Sequence, residues 1–320
     1  MPLDHVNQEI VDRITRLQDE IGQGRNDPIE LELQRRFVES LRRQIDSPSL
    51  DSVEDILVSG TSTHVPARIY RPRKGEPLPV LVYMHGGGWC LGDQESSELL
   101  CRNLAIAADT IIISVDYRLA PEAPYPAALN DCYQVLCWVE SNADTLGIKN
   151  VPLMIGGDSA GANLALAVAS LSRDRADELS IGSMILIYPC VAPELDTRSC
   201  ELYGEDHVLT RRVMRWFWEN YIGSTNLLNP PAYTTFDDPS LLHDLPDAII
   251  VTAECDILRD EGEQLARNLT QAGSKVHQRS LAGTFHGFVS MIGILPQADE
   301  CLRYVSEKIQ DTVREFPRRE

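Results

Sequence analysis

Short apolar runs alternate with amphipathic stretches along most of the chain. The runs are of strand length and contain few polar residues, which is typical of strands buried on both faces. They lie at residues 79–85, 110–116, 151–156, 183–188 and 248–254. Helical patterning lies between or after these runs, at residues 96–108, 127–140, 163–171, after Asp260 and at 297–314. This alternation predicts an α/β protein with a mostly parallel central sheet and helices on both faces.

The beginning of the chain has a different pattern. Within residues 5–45, apolar residues recur every three or four positions, which predicts two helices. These helices could pack against the rest of the chain or form a lid over a site built later, and the sequence leaves both interpretations open. Residues 53–70 then predict two strands with a turn at Gly60.

Residues 190–240 interrupt the alternation. They contain a helical segment at 211–222 that is rich in aromatic residues, followed by a loop with several prolines. We interpret this segment as an insertion over the active-site edge of the sheet. Its aromatic side chains could line a cavity or could simply be packed. After the insertion the alternation returns, with a short strand predicted near 275–281.

Composition and charge narrow the range of functions. The chain has 320 residues and a formal net charge of −19, which argues against nucleic acid and anionic membrane surfaces as partners. No apolar run is long enough for a transmembrane helix, and the first residues do not resemble a secretory signal. The eight cysteines include no C-x-x-C pair, and no Cys or His grouping has the spacing of metal ligands. We therefore expect a cytoplasmic protein with reduced thiols and no metal.

The most informative motif is Gly157-Asp158-Ser159-Ala160-Gly161, which follows a buried strand and precedes an apolar helix. In this context G-x-S-x-G predicts a nucleophile elbow, a sharp turn that presents the serine hydroxyl above the sheet. The Ala160 N–H lies at the start of the helix, where unpaired donors favour negative charge. Ser159 is thus the predicted nucleophile.

A serine hydroxyl needs a base within hydrogen-bond reach. The histidines after Ser159 are His207, His243, His277 and His286. Only His286 lies in a glycine-flanked loop between the late strand and the last helix, so it is the predicted base.

The base needs an acid to orient it, and in this fold the acid comes between the serine and the histidine. Asp256 follows directly after a predicted buried strand, where such an acid belongs. Asp260 and Glu261 suit the first turn of the next helix, and Glu254 lies too close to the strand end. Asp256 is therefore the predicted acid.

A glycine run at His85-Gly86-Gly87-Gly88-Trp89 follows an early strand, about 70 residues before Ser159. Glycines let a backbone approach a ligand without Cβ obstruction. A tetrahedral oxyanion requires several preorganised N–H donors, which this run can supply.

These motifs together resemble the hormone-sensitive-lipase-like branch of the α/β-hydrolases, the bacterial family IV esterases. The resemblance is carried by these segments: His85–Trp89, Tyr117–Glu122, Gly157–Gly161, Asp256–Gly262 and His286–Phe288. It implies that Gly87, Gly88 and Ala160 donate to the oxyanion, beside the triad of Ser159, Asp256 and His286. One departure is Ile257, where the family usually has proline.

The resemblance also implies the domain organisation. Residues 1–50 would be N-terminal cap helices, and residues 51–320 the α/β-hydrolase catalytic domain, with the cap insertion at about 190–240. The implied activity is that of a serine carboxylesterase on short- to medium-chain esters, without a cofactor, and a homodimer through the sheet edge at 275–281 is plausible. An amidase, lactonase or deacetylase would use the same triad. A non-catalytic ligand receptor would have lost the base, whereas His286 is present.

Overall fold

The computed structural model describes residues 3, 7–9, 11–12, 47–60, 63–175 and 179–316. The two predicted helices within residues 5–45 lie almost wholly outside this part of the chain. The division into N-terminal cap helices and a catalytic domain therefore stays a prediction.

The described chain is built on an eight-stranded sheet with strand order β1-β2-β4-β3-β5-β6-β7-β8. β1 pairs with β2, and β2 with β4, in antiparallel fashion, and all other pairs are parallel. The mostly parallel α/β sheet predicted from the sequence is thus confirmed. The strands are β1 (Ser52–Ser59), β2 (His64–Arg71), β3 (Val80–Met84), β4 (Ile111–Val115), β5 (Leu153–Asp158), β6 (Ile181–Ile187), β7 (Asp247–Cys255) and β8 (Val276–Phe285).

Helices fill the connections between the strands. They are α1 (Glu98–Ala108), α2 (Ala127–Ser141), α3 (Ala143–Leu146), α4 (Ala160–Arg175), α5 (Arg198–Tyr203), α6 (Arg211–Ile222), α7 (Arg259–Gln271) and α8 (Pro296–Glu315). The short α3 was not predicted. The last strand was predicted to end at residue 281, but β8 continues to Phe285 because it stays paired with β7 beyond an irregularity in the register.

The sheet separates two hydrophobic cores. Along β3, Val80, Val82 and Met84 face one core, whereas Leu81 and Tyr83 face the other, and all five are fully buried. The first core is covered by α2, α4 and α7, and the second by α1 and α8. Burial on both faces is the reason that these strands have continuous apolar runs rather than alternating patterns.

The segment predicted as an insertion lies between β6 and β7 and contains α5 and α6. The Thr210 side chain caps α6 by accepting from the Val213 N–H. Met214, Phe217, Trp218 and Tyr221 are buried, and their spacing places them on one face of the helix. α6 is therefore fixed to the body of the protein along an aromatic stripe.

None of the helices in the described ranges is both long enough and apolar enough to cross a membrane.

Candidate active site

Ser159 occupies a sharp turn between β5, which ends at Asp158, and α4, which begins at Ala160. Its φ of 55° lies in the left-handed region, which is strained for a residue with a side chain. A Cβ atom on either Gly157 or Gly161 would overlap the carbonyl oxygen of Met84 at the end of β3. The glycines that flank Ser159 are thus required by close approach, and the predicted nucleophile elbow is present.

His286 lies directly after β8, and its Nε2 is 2.9 Å from the Ser159 Oγ. The other candidate histidines are elsewhere: His207 contacts the Glu205 carbonyl, His243 lies beside its exposed neighbour Asp244, and His277 is within β8. Of the four, only His286 contacts the serine.

Asp256 lies in the loop between β7 and α7, residues 256–258, which we call the acid loop. Its side chain is fully buried; Oδ2 is 2.7 Å from the Nδ1 of His286, and Oδ1 accepts from the Leu258 N–H at 3.0 Å. An ionised carboxylate can only accept, so the Nδ1 of His286 has the proton and Nε2 is free to accept from Ser159. The three predicted triad residues are thus connected in the order that base catalysis requires.

The acids that were set aside have structural contacts of their own. Asp260 and Glu261 lie in the first turn of α7, as predicted. The Asp260 Oδ2 accepts from the Ser199 N–H at 2.7 Å, and the Glu261 Oε1 accepts from the Val191 N–H at 2.8 Å. Both carboxylates therefore attach the start of the insertion to α7.

Tyr188, which the sequence analysis did not single out, packs against the predicted base. Its ring packs against the His286 ring with centroids 4.7 Å apart, and it also contacts Phe288. The Tyr188 φ of 35° is strained, and its N–H donates to the Val251 carbonyl at 2.6 Å. Its position directly after β6 was nearly predicted, since the sequence predicted that strand to end at residue 188, but its contact with a loop about 100 residues later was not.

The glycine run forms a loop after β3, residues 85–92, which we call the glycine loop. Gly87, Gly88 and Trp89 have φ values of 120°, 59° and 60°. Consecutive residues with positive φ are tolerated at glycine but costly at tryptophan. Within residues 63–175 and 179–316, no hydrogen-bond acceptor is found for the N–H groups of Gly87, Gly88 and Ala160. These are the three donors that the resemblance of the motifs implied.

The insertion packs directly on the glycine loop. The fully buried Trp89 stacks on Tyr221 with centroids 4.3 Å apart and an interplanar angle of 3°, and it contacts Trp218 at 4.5 Å. The Phe217 ring fills the space that a Cβ at Gly88 would need. Trp218 is thus packed in the core rather than exposed to a cavity, and the α6 aromatic stripe holds the strained loop.

His85 shapes the same loop from the other side. Its ring stacks on Tyr117 at 4.3 Å, its Nδ1 is 2.8 Å from the Gly86 carbonyl, and the Tyr117 hydroxyl donates to the His85 carbonyl at 2.7 Å. His85 therefore has a structural role in the glycine loop.

None of the eight cysteines, all of which lie in the described part of the chain, forms a disulfide bond, and all but Cys137 are buried. Cys255, next to the predicted acid, is 2% exposed, and burial raises the pKa of its thiol. A raised pKa lowers the reactivity of a thiol, which fits the buried position of Cys255.

Comparisons with known proteins agree with this geometry. A family model described as the α/β-hydrolase fold matches residues 81–290. The carboxylic ester hydrolase LipN of Mycobacterium tuberculosis is 39% identical over 250 residues, covering 75% of this chain and 65% of LipN, just under two thirds. The ethyl acetate hydrolase of Pseudomonas putida is 32% identical over 286 residues, covering 87% of this chain and 89% of that protein. The solved esterase of the archaeon Pyrobaculum calidifontis has a TM-score of 0.84 and 36% identity, covering 97% of this chain and 99% of that one.

The chain therefore belongs to the α/β-hydrolase family, in the hormone-sensitive-lipase-like branch that its motifs resemble. It is a carboxylic ester hydrolase, which is the enzyme class that the sequence predicted.

Proposed function

We propose that this carboxylesterase hydrolyses short- to medium-chain acyl esters through an acyl-enzyme on Ser159, with His286 as the base and Asp256 as the orienting acid. The observation that carries the proposal is the connected pair of contacts, Ser159 Oγ to His286 Nε2 at 2.9 Å and His286 Nδ1 to Asp256 Oδ2 at 2.7 Å. This is the arrangement that activates a serine hydroxyl at neutral pH.

The acylation step follows from these contacts. As the Ser159 Oγ attacks the ester carbonyl, its proton moves to the Nε2 of His286, and the buried Asp256 carboxylate stabilises the resulting imidazolium. The carbonyl oxygen becomes an oxyanion that accepts from the N–H groups of Gly87, Gly88 and Ala160. When the ester C–O bond breaks, the imidazolium returns its proton to the alkoxide, and the alcohol leaves.

Deacylation repeats the same sequence with water as the nucleophile. His286 removes a proton from the water, the hydroxide attacks the acyl carbonyl, and Ser159 regains its proton as the carboxylic acid leaves. Each proton in this cycle moves between the substrate, water, Ser159 and His286, so the proposed mechanism includes no metal or organic cofactor.

The substrate is proposed to be a small neutral or cationic ester. The net charge of −19 disfavours polyanionic substrates. The Pseudomonas putida relative is named an ethyl acetate hydrolase, which supports a small ester as the substrate here as well.

Replacing the nucleophile tests the proposal. Ser159→Ala should lower kcat on p-nitrophenyl esters by about 10⁴- to 10⁶-fold, as expected for loss of a triad member. The matched control is Ser290→Ala, since Ser290 lies on the segment that follows His286 but only donates to the Gly287 carbonyl. A serine-directed phosphonate should modify Ser159, as located by mass spectrometry. Modification of a cysteine, or an active Ser159→Ala enzyme, would overturn the assignment.

Other acyl-transfer activities would use the same triad, so a substrate panel has to separate them. Matched ester, anilide, lactone and acetylated-amine substrates should show the highest kcat/KM for the ester. A ligand receptor on this fold would bind such compounds without turnover. The hydrogen-bonded position of His286 supports catalysis instead.

Location and assembly remain proposals too. The lack of disulfide bonds among the eight cysteines of the described chain supports a cytoplasmic location, where thiols stay reduced. β8 is the last strand of the described sheet and pairs only with β7 there, which supports a homodimer through its outer edge. Sedimentation velocity over a range of concentrations should show a dimer, and a monomer throughout would rule the assembly out.

A further inference from the structure

The mechanism above leaves one carboxylate of the elbow without a role. Asp158 directly precedes the nucleophile, and its Oδ1 accepts two hydrogen bonds. The donors are the Gly86 N–H at 3.0 Å and the Tyr83 hydroxyl at 2.7 Å. Tyr83 is fully buried on β3, and Gly86 begins the glycine run of the loop that follows β3. The carboxylate therefore connects the nucleophile elbow to the start of the glycine loop.

The contact is close as well as directional. A Cβ atom at Gly86 would overlap the Asp158 Oδ2, so the carboxylate lies directly against the loop backbone. Burial raises the pKa of the Asp158 carboxyl, while the bonds from Tyr83 and Gly86 oppose that shift. Burying a carboxylate costs desolvation free energy, and the hydrogen bonds from Tyr83 and Gly86 offset part of that cost.

The N–H groups along the glycine loop differ in whether they have a hydrogen-bond acceptor. The Gly86 N–H is occupied by Asp158, whereas the N–H groups of Gly87 and Gly88 have no acceptor among the described residues. Fixing the Gly86 peptide restricts the direction of the two peptides that follow it. On the other side, Asp158 is two residues from Ala160, which supplies the third donor. One residue thus connects the donors of both segments.

Building on the proposed ester hydrolysis, we propose that Asp158 is a positioning residue for the oxyanion hole, and that its bond to Gly86 aligns the loop donors with the Ala160 donor. This role requires a hydrogen-bond acceptor at the position of the Asp158 Oδ1. A side chain that keeps this acceptor should keep the activity, and one that lacks it should lose transition-state stabilisation.

The experiment compares Asp158→Ala, which removes the acceptor, with Asp158→Asn, whose carboxamide oxygen can still accept both bonds. Loss of one oxyanion donor lowers kcat by about 10²- to 10³-fold, so misalignment should lower kcat of Asp158→Ala by about 10- to 100-fold with KM within about threefold. Asp158→Asn should retain kcat within about threefold of wild type.

The matched control is Asp116→Ala. Asp116 is another partly buried carboxylate, just after the end of the neighbouring strand β4, and burial raises its pKa too. No hydrogen bond from its side chain to Gly86, Gly87 or Gly88 is found in the described chain. Asp116→Ala should keep kcat within about threefold of wild type. This variant controls for the loss of a partly buried carboxylate near the site.

A trifluoromethyl ketone separates positioning from a purely structural role, because its hemiketal with Ser159 places an oxyanion among the same donors. Its inhibition constant should rise in Asp158→Ala by the factor by which kcat/KM falls. If Asp158→Ala has a lower melting temperature but unchanged inhibition, Asp158 only stabilises the fold. Unchanged kcat in Asp158→Ala would also overturn the proposal.

Asp158→Asn keeps the proposal testable if Asp158→Ala does not fold. Because Asp158→Asn retains the acceptor, a decrease in its kcat of more than tenfold in a folded enzyme would overturn the proposal.

These outcomes are distinct from failure of the proposed function. If the wild-type protein neither hydrolyses esters nor reacts with the phosphonate at Ser159, the mechanism itself is wrong. If it does both and Asp158→Ala is fully active, only the positioning role is wrong.

Discussion

The glycine loop and the acid loop serve the same serine but are held in different ways. Both follow the carboxyl end of a parallel strand, β3 for the glycine loop and β7 for the acid loop. Besides its bond to Asp158, the glycine loop is held by aromatic packing against the insertion, with Trp89 stacked on Tyr221 and in tilted contact with Trp218. The acid loop is held by hydrogen bonds, since the Ser199 Oγ donates to the Ile257 carbonyl at 2.8 Å.

Both supports come from the insertion. α6 packs on the glycine loop, and the first residues of α5 bond to the acid loop and to the start of α7. The insertion therefore contacts both loops of the candidate active site. Packing is graded and tolerates small changes, whereas hydrogen bonds are directional and are lost when one partner is removed. The two loops should accordingly respond differently to substitution.

The largest expected effect is at the acid itself. Asp256→Asn should lower kcat by about 10⁴-fold, because the imidazole loses its tautomer and its orientation. Asp260→Asn should cost far less activity, since Asp260 accepts from the Ser199 N–H rather than from the base. Steady-state kinetics on one p-nitrophenyl ester compares the two variants directly. A larger loss for Asp260→Asn would mean that the wrong carboxylate was assigned.

The aromatic support of the glycine loop should have the next largest effect. Trp218→Ala removes a fully buried side chain and should lower the free energy of unfolding by about 3–5 kcal/mol. If this packing holds the oxyanion donors in place, kcat should also fall. The factor by which it falls should be similar for the acetate ester and the hexanoate ester. Denaturant unfolding and kinetics on both esters measure the two effects.

Trp216→Ala is the control for that variant, since Trp216 lies on the same helix but is only partly buried. It should lose clearly less stability and little activity. A loss of kcat in Trp218→Ala that depends on acyl length would indicate that this part of α6 lines the acyl pocket instead.

The hydrogen-bonded support of the acid loop should show a smaller effect. Ser199 is fully buried, and its Oγ donates to the Ile257 carbonyl and accepts from the Asp260 N–H. Ser199→Ala leaves both backbone groups without that partner and should cost about 1–3 kcal/mol of stability. Because Asp256 keeps its own bond from Leu258, kcat should change little. A loss of kcat as large as that of Asp256→Asn would show that Ser199 positions the acid.

The smallest effect concerns Glu261, and it should depend on pH. Burial raises the pKa of its carboxyl well above the ordinary value of 4.5. The unfolded chain therefore releases this proton at lower pH than the folded protein does, so the carboxyl's contribution to stability falls as pH rises from about 4.5 towards the folded pKa. Glu261→Gln has no such proton and can still accept from the Val191 N–H. The measured quantity is the melting temperature of Glu261→Gln minus that of wild type. This difference should be more positive at about pH 8 than at about pH 5. A difference that does not change with pH would contradict the prediction.

The triad could be predicted from the sequence because each member has a local signal. Ser159 lies between glycines that the close approach to Met84 requires, and Asp256 and His286 follow predicted strands. The supports could not be predicted in the same way, because their partners are distant in the chain. Asp158 bonds to Gly86, 72 residues away, and nothing in the local pattern selects that partner.

The insertion is a second case in which the local pattern predicted an element but not its partner. The α6 helix was predicted over the residues that form it, and its aromatic stripe was visible, but a stripe does not reveal what covers it. In the structure, Phe217 and Trp218 cover the glycine loop: the Phe217 ring occupies the space that a Cβ at Gly88 would need, and Trp218 contacts the Trp89 indole. Gly88 and Trp89 both have positive φ values. Backbone conformations of this kind depend on the tertiary fold and leave no periodic signal in the sequence.

The stack between Trp89 and Tyr221 also bears on how such enzymes can be recombined. A chimera that takes its insertion from a relative but keeps this chain's glycine loop would bring together two surfaces that were never matched to each other. Such exchanges are usually intended to change substrate preference. With this interface, residues 85–92 and 211–222 are best transferred as one unit, so that altered selectivity is not accompanied by the loss of turnover that a poorly fitting loop would cause.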